Sequence, residues 1–241
     1  MNIIEEENDI KLDLPSWTVD NSLGDHIPSP FKKQSFFYIF TGRSRSGKSS
    51  LAIALLCNKK PRIYRRVFDN IIVVIPSSSL RSLKKNCFET IDNSKKFDDL
   101  SYDTVNEILD LIEEYSANEE QTLLYIDDMT AYLKQSSISM LLSKIINNRR
   151  HYLVSIIIIV QNIVRVPLEL RKLATMIFFW KSSNRKELEV IKNEYINLNN
   201  NDFNKLIRFV FRDPYDFMII DNEDNELYRK FNHLILDDTS I

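Results

Sequence analysis

A glycine-containing loop between an apolar strand and an apolar helix restricts the fold of this chain more than any other feature. The segment FFYIF (36–40) leads into TGRSRSGKSS (41–50), and the helical stretch SSLAIALLC follows. Gly42 and Gly47 are two of only three glycines in 241 residues. The pattern G-x-x-x-x-G-K-S is typical of a phosphate-binding loop, in which glycine lets the backbone turn tightly and approach an anion closely. The sequence therefore predicts a strand–loop–helix unit that holds phosphate at the start of the helix.

Apolar stretches alternate with amphipathic ones along the rest of the chain. Strands are predicted at 36–41, 67–76, 122–128, 153–161 and 175–180, with a terminal hairpin of 215–221 and 226–231. Helices are predicted from Lys48 onward, from an N-cap at Asp103 to Tyr115, and over 138–146, 168–174 and 187–195. Continuous apolar strands are typical of a parallel sheet covered on both faces. We therefore expect an α/β fold with a mostly parallel central sheet, helices on both faces, and ligands at the carboxyl ends of the strands.

Composition and periodicity divide the chain into three predicted regions. Residues 1–34 are polar and acidic with no sustained period, which indicates an N-terminal arm or irregular lead-in with Trp17 as its candidate anchor. Residues 35–221 carry the strand–helix alternation and form the predicted core. Residues 222–241 form a C-terminal strand and tail. The length is sufficient for one sizeable hydrophobic core.

Charge and composition exclude several classes of protein. The net charge is −2, so contact with nucleic acid would depend on local basic patches rather than on the overall charge. The longest apolar run, within 153–160, is too short to span a bilayer, and the N-terminus has no signal-peptide pattern. We therefore expect a protein that is neither secreted nor bound to a membrane. Cys57 and Cys87 are expected to be reduced thiols in the core.

Residues 41–50, called the P-loop below, predict binding of ATP with Mg²⁺. Lys48 is expected to reach the β- and γ-phosphates, and Ser49 to bind the magnesium ion. Arg43 and Arg45 are unusual in such a loop, and contact with phosphate, with a neighbouring molecule or with solvent are all open. The predicted nucleotide-contacting residues are Gly42, Arg43, Ser44, Arg45, Ser46, Gly47, Lys48, Ser49 and Ser50.

Polar residues at the ends of two later strands supply the rest of a hydrolytic site. TLLYIDD (122–128) ends in Asp127, the expected second magnesium ligand, and in Asp128, a candidate to polarise the attacking water. Gln161 ends the strand IIIIVQ and is a candidate for contact with that water or with the γ-phosphate. A solvated turn after each strand is the alternative for all three side chains.

Two arginines before the strand 153–161 have two possible roles. In a ring of subunits, Arg149 or Arg150 could enter a neighbour's site as an arginine finger that stabilises charge in the transition state. Alternatively, both are cations at a helix C-terminus, where the macrodipole favours them.

Missing motifs exclude several other classes of nucleotide-binding and metal-dependent enzyme. No glycine follows Gly47, which excludes an LSGGQ signature, and no NKxD, DxxG or HExxH pattern is present.

Taken in order, these motifs resemble the FtsK–HerA superfamily of RecA-like (ASCE) P-loop NTPases. Within it, residues 35–221 resemble the poxvirus-type genome-packaging ATPases of large DNA viruses and virophages. The residues that carry the resemblance are Asp127 and Asp128, Arg150-His151-Tyr152, Gln161, and Pro167 followed by Arg171. The chain departs from this pattern at Arg149, where the family often has glycine, and at Asp128, where cellular relatives usually have glutamate.

The resemblance implies a homo-hexameric ring that pumps double-stranded DNA, with a capsid vertex or portal component as partner. It also implies an arginine finger at Arg149 or Arg150, and a place in the host cytoplasm, a viral factory or the virion. Non-specific DNA contact depends mainly on phosphate attraction. Candidate cations are Lys59, Lys60, Arg62, Arg65 and Arg66, followed by Arg81, Lys84, Lys85, Lys95 and Lys96. A solvated surface is the alternative for these charges.

Two other functions remain open from the sequence alone. One is a small-molecule kinase for nucleosides or nucleotides, with Arg149, Arg150 and Arg171 as lid arginines. The other is a nucleotide-switched module that binds capsid proteins and hydrolyses ATP slowly.

Overall fold

The computed structural model describes residues 22–80 and 87–236, and in this part of the chain nine strands form one sheet. Seven of them coincide with the predicted strands except for the exact ends, and both strands of the terminal hairpin are among the seven. The strands are β1 (Phe37–Thr41), β2 (Asn70–Val74), β3 (Lys96–Phe97), β4 (Thr122–Asp127), β5 (Val154–Val160), β6 (Met176–Trp180), β7 (Phe217–Asp221), β8 (Glu226–Arg229) and β9 (Asn232–Leu234).

The strand order β3-β2-β4-β5-β1-β6-β7-β8-β9 confirms the predicted mostly parallel sheet. The first six strands of this order, from β3 at the sheet edge to β6, run parallel to one another, and β7, β8 and β9 are added antiparallel. Strand β1 lies between β5 and β6, so the loop that follows it is flanked by the ends of both neighbours. We call this side of the sheet, where the parallel strands finish, the carboxyl edge, and the opposite side the amino edge.

Eight α-helices occur in the described residues, and none is long and apolar enough to cross a membrane. Helix α3 begins one residue before the predicted N-cap Asp103, because Ser101 is the cap and its Oγ accepts from the Thr104 amide. The helices are α1 (Lys48–Cys57), α2 (Ser77–Leu80), α3 (Tyr102–Ala117), α4 (Thr130–Leu133), α5 (Ser136–Asn147), α6 (Leu168–Arg171), α7 (Arg185–Tyr195) and α8 (Asn200–Val210).

Helix α8 was not predicted, because it begins in an asparagine-rich stretch that is typical of a loop. In the structure, Asn199 is its N-cap and accepts from the Asp202 amide. Phe203, Leu206 and Val210 then follow at helical spacing and are buried. The asparagines therefore mark the start of a helix and not a break in the fold.

Both faces of the sheet are covered, which explains why its central strands are apolar throughout. Along β1, Phe37 and Ile39 point into the hydrophobic cluster beneath α3, α5, α7 and α8. Tyr38 and Phe40 point into the other cluster, beneath α1. Alternate residues of one strand therefore enter different cores, as expected for a strand in a three-layer α/β fold.

Residues 22–36, the described part of the lead-in before β1, contain no helix or strand and contribute side chains to the core. Leu23, Ile27 and Phe31 are buried against the α1 face. Lys32 is ion-paired with Asp221 at 2.9 Å, and its ammonium also contacts two further carboxylates in the β7–β8 turn. The candidate anchor Trp17 lies outside the described residues. At the other end, β8 and β9 continue the sheet beyond residue 221.

The two cysteines are joined, so the expectation of reduced thiols is wrong. Cys57 ends α1 and Cys87 begins a short 3₁₀ turn, and their Cα atoms are 6.0 Å apart in the disulfide. The sequence separation of 30 residues gives no indication of this pairing. It depends on the chain turning back beside the end of α1 after β2.

The turn before β7 is held by a buried carboxylate. Asp216 is ion-paired with Arg229 at 2.9 Å and with Lys230 at 2.8 Å, and it accepts from the Asp213 amide at 2.8 Å. Burial alone would raise the pKa of Asp216, but the Lys230, Asp213 and Arg229 donors together hold it well below the usual range. Because the pKa is lower in the folded state, Asp216 stabilises the fold fully above about pH 4 and loses this effect as the pH falls further.

We expect Asp216→Asn to lower the free energy of unfolding at pH 7 by about 1–3 kcal/mol, because two cations lose a charged acceptor. At pH 3 the difference in free energy of unfolding between this variant and wild type should be smaller, because the stabilisation that the wild-type carboxylate provides decreases below about pH 4. Urea denaturation at both pH values measures this. Asp213→Asn, in the same turn but exposed, is the control and should have a small effect. An unfolding free energy for Asp216→Asn equal to that of wild type at pH 7 would contradict the prediction.

Candidate nucleotide site

The P-loop connects the end of β1 to the start of α1, and its two glycines are required for different reasons. A Cβ atom at Gly42 would lie 2.6 Å from the Cβ atom of Trp180, so a larger residue would clash with the neighbouring strand. Gly47 has φ +99 and is the N-cap of α1. This left-handed conformation favours glycine over residues with a side chain. The loop therefore folds back closely over β1 and β6 and presents the N-terminus of α1.

Lys48, the first residue of α1, is buried within this loop. Its Nζ donates to the carbonyl oxygens of Gly42 at 2.6 Å and Arg43 at 2.9 Å. Burial lowers the pKa of Lys48, and the carboxylates of Asp127 and Asp128 oppose that shift. An ammonium held at a helix N-terminus by neutral carbonyls is suited to bind an anion, because it can exchange these acceptors for phosphate oxygens.

Ser49 and Asp127 contact each other, as the predicted magnesium site requires. The Ser49 Oγ donates to Asp127 Oδ2 at 2.6 Å, and the Tyr125 hydroxyl donates to the same oxygen at 3.2 Å. Burial raises the pKa of Asp127, and these two hydrogen bonds oppose the rise. In residues 22–80 and 87–236, no three His, Cys, Asp or Glu side chains form a group that could hold a metal. Magnesium usually takes one or two carboxylates and completes its shell with phosphates and water, so a hydroxyl and a carboxylate together fit this ion.

Asp128 and Gln161 are brought together by neighbouring strands. Asp128 follows β4, Gln161 follows the adjacent β5, and Gln161 Nε2 donates to Asp128 Oδ1 at 3.2 Å. Asp128 has φ +60, a left-handed conformation that aspartate tolerates better than most residues. Both side chains are exposed, and they line a cavity of about 220 Å³ with Lys48, Ser49 and Asp127. We call this space the phosphate cavity.

Comparison with known proteins assigns the chain to a family. The model of the poxvirus A32 protein family matches residues 29–226. The chain belongs to the poxvirus A32 protein family. This assignment confirms the resemblance to poxvirus-type proteins that the motifs suggested. No curated protein matches the sequence.

Solved structures show that the fold of this A32-family chain is shared with other P-loop proteins. The DNA-packaging ATPase B204 from Sulfolobus turreted icosahedral virus is 18% identical, with a TM-score of 0.62 over 84% of this chain and 98% of that one. The genome packaging NTPase B204 from Sulfolobus turreted icosahedral virus 2, in complex with ATP-gammaS, is 18% identical with a TM-score of 0.59 over the same shares. The cytoplasmic domain of the Thermomonospora curvata type VII secretion ATPase EccC is 12% identical with a TM-score of 0.52, over 84% of this chain and 24% of that one.

One buried carboxylate at the carboxyl edge was missed from the sequence. Glu187 lies in the first turn of α7, and its Oε1 accepts from Thr41 Oγ1 and from the Ile163 amide, both at 3.1 Å. It thereby joins the end of β1, where the P-loop begins, to the segment just after Gln161. In the sequence RKELEV, Glu187 has the pattern of a solvated residue near a helix N-terminus. Only the tertiary structure of the A32-family chain shows that it is buried.

The two candidate arginine fingers lie at the amino edge, just before β5, so they are remote from the P-loop of their own subunit. Arg149 donates to the carbonyl oxygens of Ser35 and Ile146, and its Nη2 is 3.5 Å from Glu223. The bond to Ile146, in the last turn of α5, fits the alternative role of a helix C-terminal cation. Arg150 is exposed. Of the two, Arg150 has the side chain that a neighbouring molecule could meet.

The basic cluster between α1 and β2 also lies at the amino edge, because α1 runs away from the carboxyl edge. Lys59, Lys60, Arg62 and Arg66 are exposed, and Arg65 is half-buried. Of the later candidates, Arg81, Lys84 and Lys85 lie outside the described residues. Lys95 donates to Asn70 at 2.6 Å, and its ammonium lies over the Tyr115 ring.

Proposed function

We propose that this A32-family protein is an ATP-hydrolysing motor that moves double-stranded DNA into a capsid. The proposal rests on five predicted residues that line the phosphate cavity together. In this cavity, a buried lysine and a serine–aspartate pair face an exposed aspartate–glutamine pair. The family assignment supports the proposal. So does the shared fold with structures described as genome packaging NTPases, one of which is in complex with ATP-gammaS.

The geometry suggests a role for each side chain. Lys48 leaves the carbonyls of the P-loop and binds phosphate oxygens, which brings positive charge to the group being transferred. Ser49 and Asp127 would hold Mg²⁺, which would neutralise charge on the phosphates. Asp128 accepts a hydrogen bond from the attacking water and draws off its proton. Gln161, already in contact with Asp128, fixes the orientation of that water.

Ring assembly would complete the site with an arginine from a neighbouring subunit. Arg149 is engaged by Glu223 and by backbone carbonyls of its own chain, whereas Arg150 is exposed. Arg150 is therefore the finger that we propose, in a homo-hexameric ring. Such a ring would dock on a capsid vertex or portal component, in the host cytoplasm, a viral factory or the virion.

The exposed cations after α1 are the proposed DNA contacts. A chain with a net charge of −2 needs a concentrated basic surface to bind a polyanion. Lys59, Lys60 and Arg62 supply one at the amino edge, and contacts of this kind bind phosphate without reading the base sequence.

We expect double-stranded DNA to accelerate ATP hydrolysis by the wild-type protein, measured at several protein concentrations with and without DNA. Replacing Lys59, Lys60 and Arg62 together by alanine should remove most of this stimulation and leave hydrolysis without DNA unchanged. It should also reduce the slope of log affinity against log salt by about 1 for each DNA phosphate that the variant no longer binds. The matched control replaces three exposed cations on or beside α8: Lys205, Arg208 and Arg212.

The same measurement separates the alternatives. Turnover that is indifferent to DNA, with phosphate transfer to a nucleoside or nucleotide, would favour the kinase. The lid arginines that such a kinase would need have little support, because Arg149 is bonded within its own chain and Arg171 is ion-paired with Glu194 on α7. Tight ATP binding with slow turnover at every protein concentration would favour the capsid-binding module.

A further inference from the structure

Glu187, the buried carboxylate in the first turn of α7, has no part in the roles assigned above. It is 3% exposed, and the two residues that donate to it, Thr41 and Ile163, are completely buried. Removing a carboxylate from water is unfavourable unless hydrogen bonds or a cation replace the lost solvation. The folded chain therefore has to keep these two bonds, and they hold the segments that supply them at a fixed separation.

Glu187 does not serve as a cap of its own helix. The N-cap of α7 is Asn184, whose side chain accepts from the amides of Lys186 and Glu187. A glutamate three residues after an N-cap commonly turns back to the amide of the cap residue. Here the Asn184 amide donates to Ser182 Oγ instead, at 3.1 Å. The Glu187 side chain is therefore engaged by segments outside α7, although the helix N-terminus favours its negative charge.

One oxygen of Glu187 joins the P-loop to the segment that carries Gln161. Oε1 accepts from Thr41 Oγ1, directly before the first P-loop glycine, and from the amide of Ile163, two residues after Gln161. On the other side of Gln161, the carbonyl oxygen of Val160 accepts from the amide of that same glycine at 3.4 Å. The backbone at Gln161 is therefore tied to the start of the P-loop both before and after this residue.

The charge of Glu187 has a second, separate effect. Burial lowers the pKa of Lys48, and Glu187 opposes that shift together with Asp127 and Asp128, whose effects are larger. Loss of the charge alone would act on Lys48 and so on phosphate binding. Loss of the two hydrogen bonds would act on the segment of Gln161 and so on turnover. Affinity and turnover therefore separate the two effects.

We propose that Glu187 is a positioning residue for ATP hydrolysis, which holds Gln161 at a fixed place relative to the P-loop. This inference rests on the proposed function, because it concerns the same site. Glu187 itself touches neither the nucleotide nor the attacking water, and it acts through Gln161, which is in contact with Asp128. Misplacing a reacting group by about 1 Å can lower a rate about 100-fold, so a carboxylate remote from the chemistry can control turnover.

Turnover and affinity of the full chain are measured separately, by steady-state hydrolysis with Mg²⁺ and by calorimetric titration with AMP-PNP, a non-hydrolysable analogue of ATP. We expect Glu187→Ala to lower kcat about 10- to 100-fold and to leave AMP-PNP affinity within about twofold of wild type. Glu187→Gln should recover most of the lost kcat, because its amide oxygen can accept from both donors. Glu189→Ala, which removes an exposed glutamate of the same helix, is the control and should change neither quantity.

A double-mutant cycle with Gln161→Ala shows whether Glu187 acts through that side chain. If it does, Glu187→Ala lowers kcat in the wild-type background and has no further effect where residue 161 is already alanine. General damage to the fold would instead multiply the two losses. Thr41→Val removes one donor with little change of shape, so it tests the same link if Glu187→Ala does not fold. It should lower kcat, and this effect too should disappear in the Gln161→Ala background.

The outcomes distinguish failure of this inference from failure of the proposed function. Unchanged kcat in Glu187→Ala would overturn the inference and leave the hydrolytic site intact. An equal loss of kcat with and without Gln161 would also overturn it, as would a loss confined to AMP-PNP affinity, since Glu187 would then act on Lys48. Failure of Glu187→Gln to recover kcat would contradict it as well, because the charge rather than the hydrogen bonds would matter. If wild type binds AMP-PNP but hydrolyses no ATP at any protein concentration, the proposed function is wrong and the inference falls with it.

Discussion

Replacing Lys48 by alanine is expected to lower ATP hydrolysis about 100- to 1,000-fold, which is the usual effect of removing one preorganised donor from a developing negative charge. The Lys48 ammonium lies inside the P-loop, where its Nζ donates to the carbonyl oxygens of Gly42 and Arg43. Alanine leaves the helix start intact but removes that charge. Steady-state hydrolysis with Mg²⁺ and saturating ATP measures the effect.

The stability of the same variant shows whether the loss is chemical. Burial lowers the pKa of Lys48, which means that the charged form is poorly solvated in the folded protein. Alanine removes that cost together with two hydrogen bonds to backbone carbonyls, so we expect the free energy of unfolding to change by about 1 kcal/mol or less. Lys59→Ala, an exposed lysine beyond the other end of α1, should leave hydrolysis without DNA unchanged. Wild-type turnover by Lys48→Ala would exclude the P-loop as the hydrolytic site.

The parts of the site that could be predicted are those determined by local sequence and by one rule of parallel sheets. The P-loop pattern is contiguous, so Lys48 and Ser49 could be identified without a fold. Asp127 and Gln161 are 34 positions apart in the sequence. Each ends an apolar strand, and parallel strands finish at the same edge, so their meeting could be expected once the strands were recognised.

The parts that could not be predicted depend on strand order and on the burial of charged groups. Nothing in the sequence places β6 and β7 beside β1, so the approach of Trp180 to Gly42 and of Tyr215 to Gly47 could not be expected. Glu187 has an ordinary pattern for a solvated helix, and its role depends on the segment after Gln161 passing over α7. In each case the deciding neighbour is distant in sequence.

The role of Arg149 also could not be decided from the sequence, for the same reason. Its position before β5 is compatible with a finger or with a helix cap, and the sequence offers no means to choose. The choice depends on Glu223 in the β7–β8 turn and on the Ser35 carbonyl, which lie far away along the chain. These partners come close only because the irregular lead-in and the final strands meet at the amino edge.

Replacing Asp128 by asparagine is expected to lower kcat about 10²- to 10⁴-fold, the usual contribution of a positioned general base. Asparagine is close in shape, tolerates the left-handed backbone at this position, and can still accept a hydrogen bond from Gln161. The turn after β4 should therefore persist, and affinity for ATP should stay within about twofold of wild type, a free-energy difference of about 0.4 kcal/mol.

Asp127→Asn is the matched variant, because it makes the same chemical change one residue earlier. Asp127 is buried and bonded to the Ser49 hydroxyl, so its loss should act mainly through the metal and raise the Mg²⁺ concentration needed for half-maximal hydrolysis. Asp128→Asn should leave that concentration unchanged. If Asp128→Asn keeps wild-type kcat while Asp127→Asn is inactive, one carboxylate suffices, and the water must be oriented by Gln161 or by a group from another subunit.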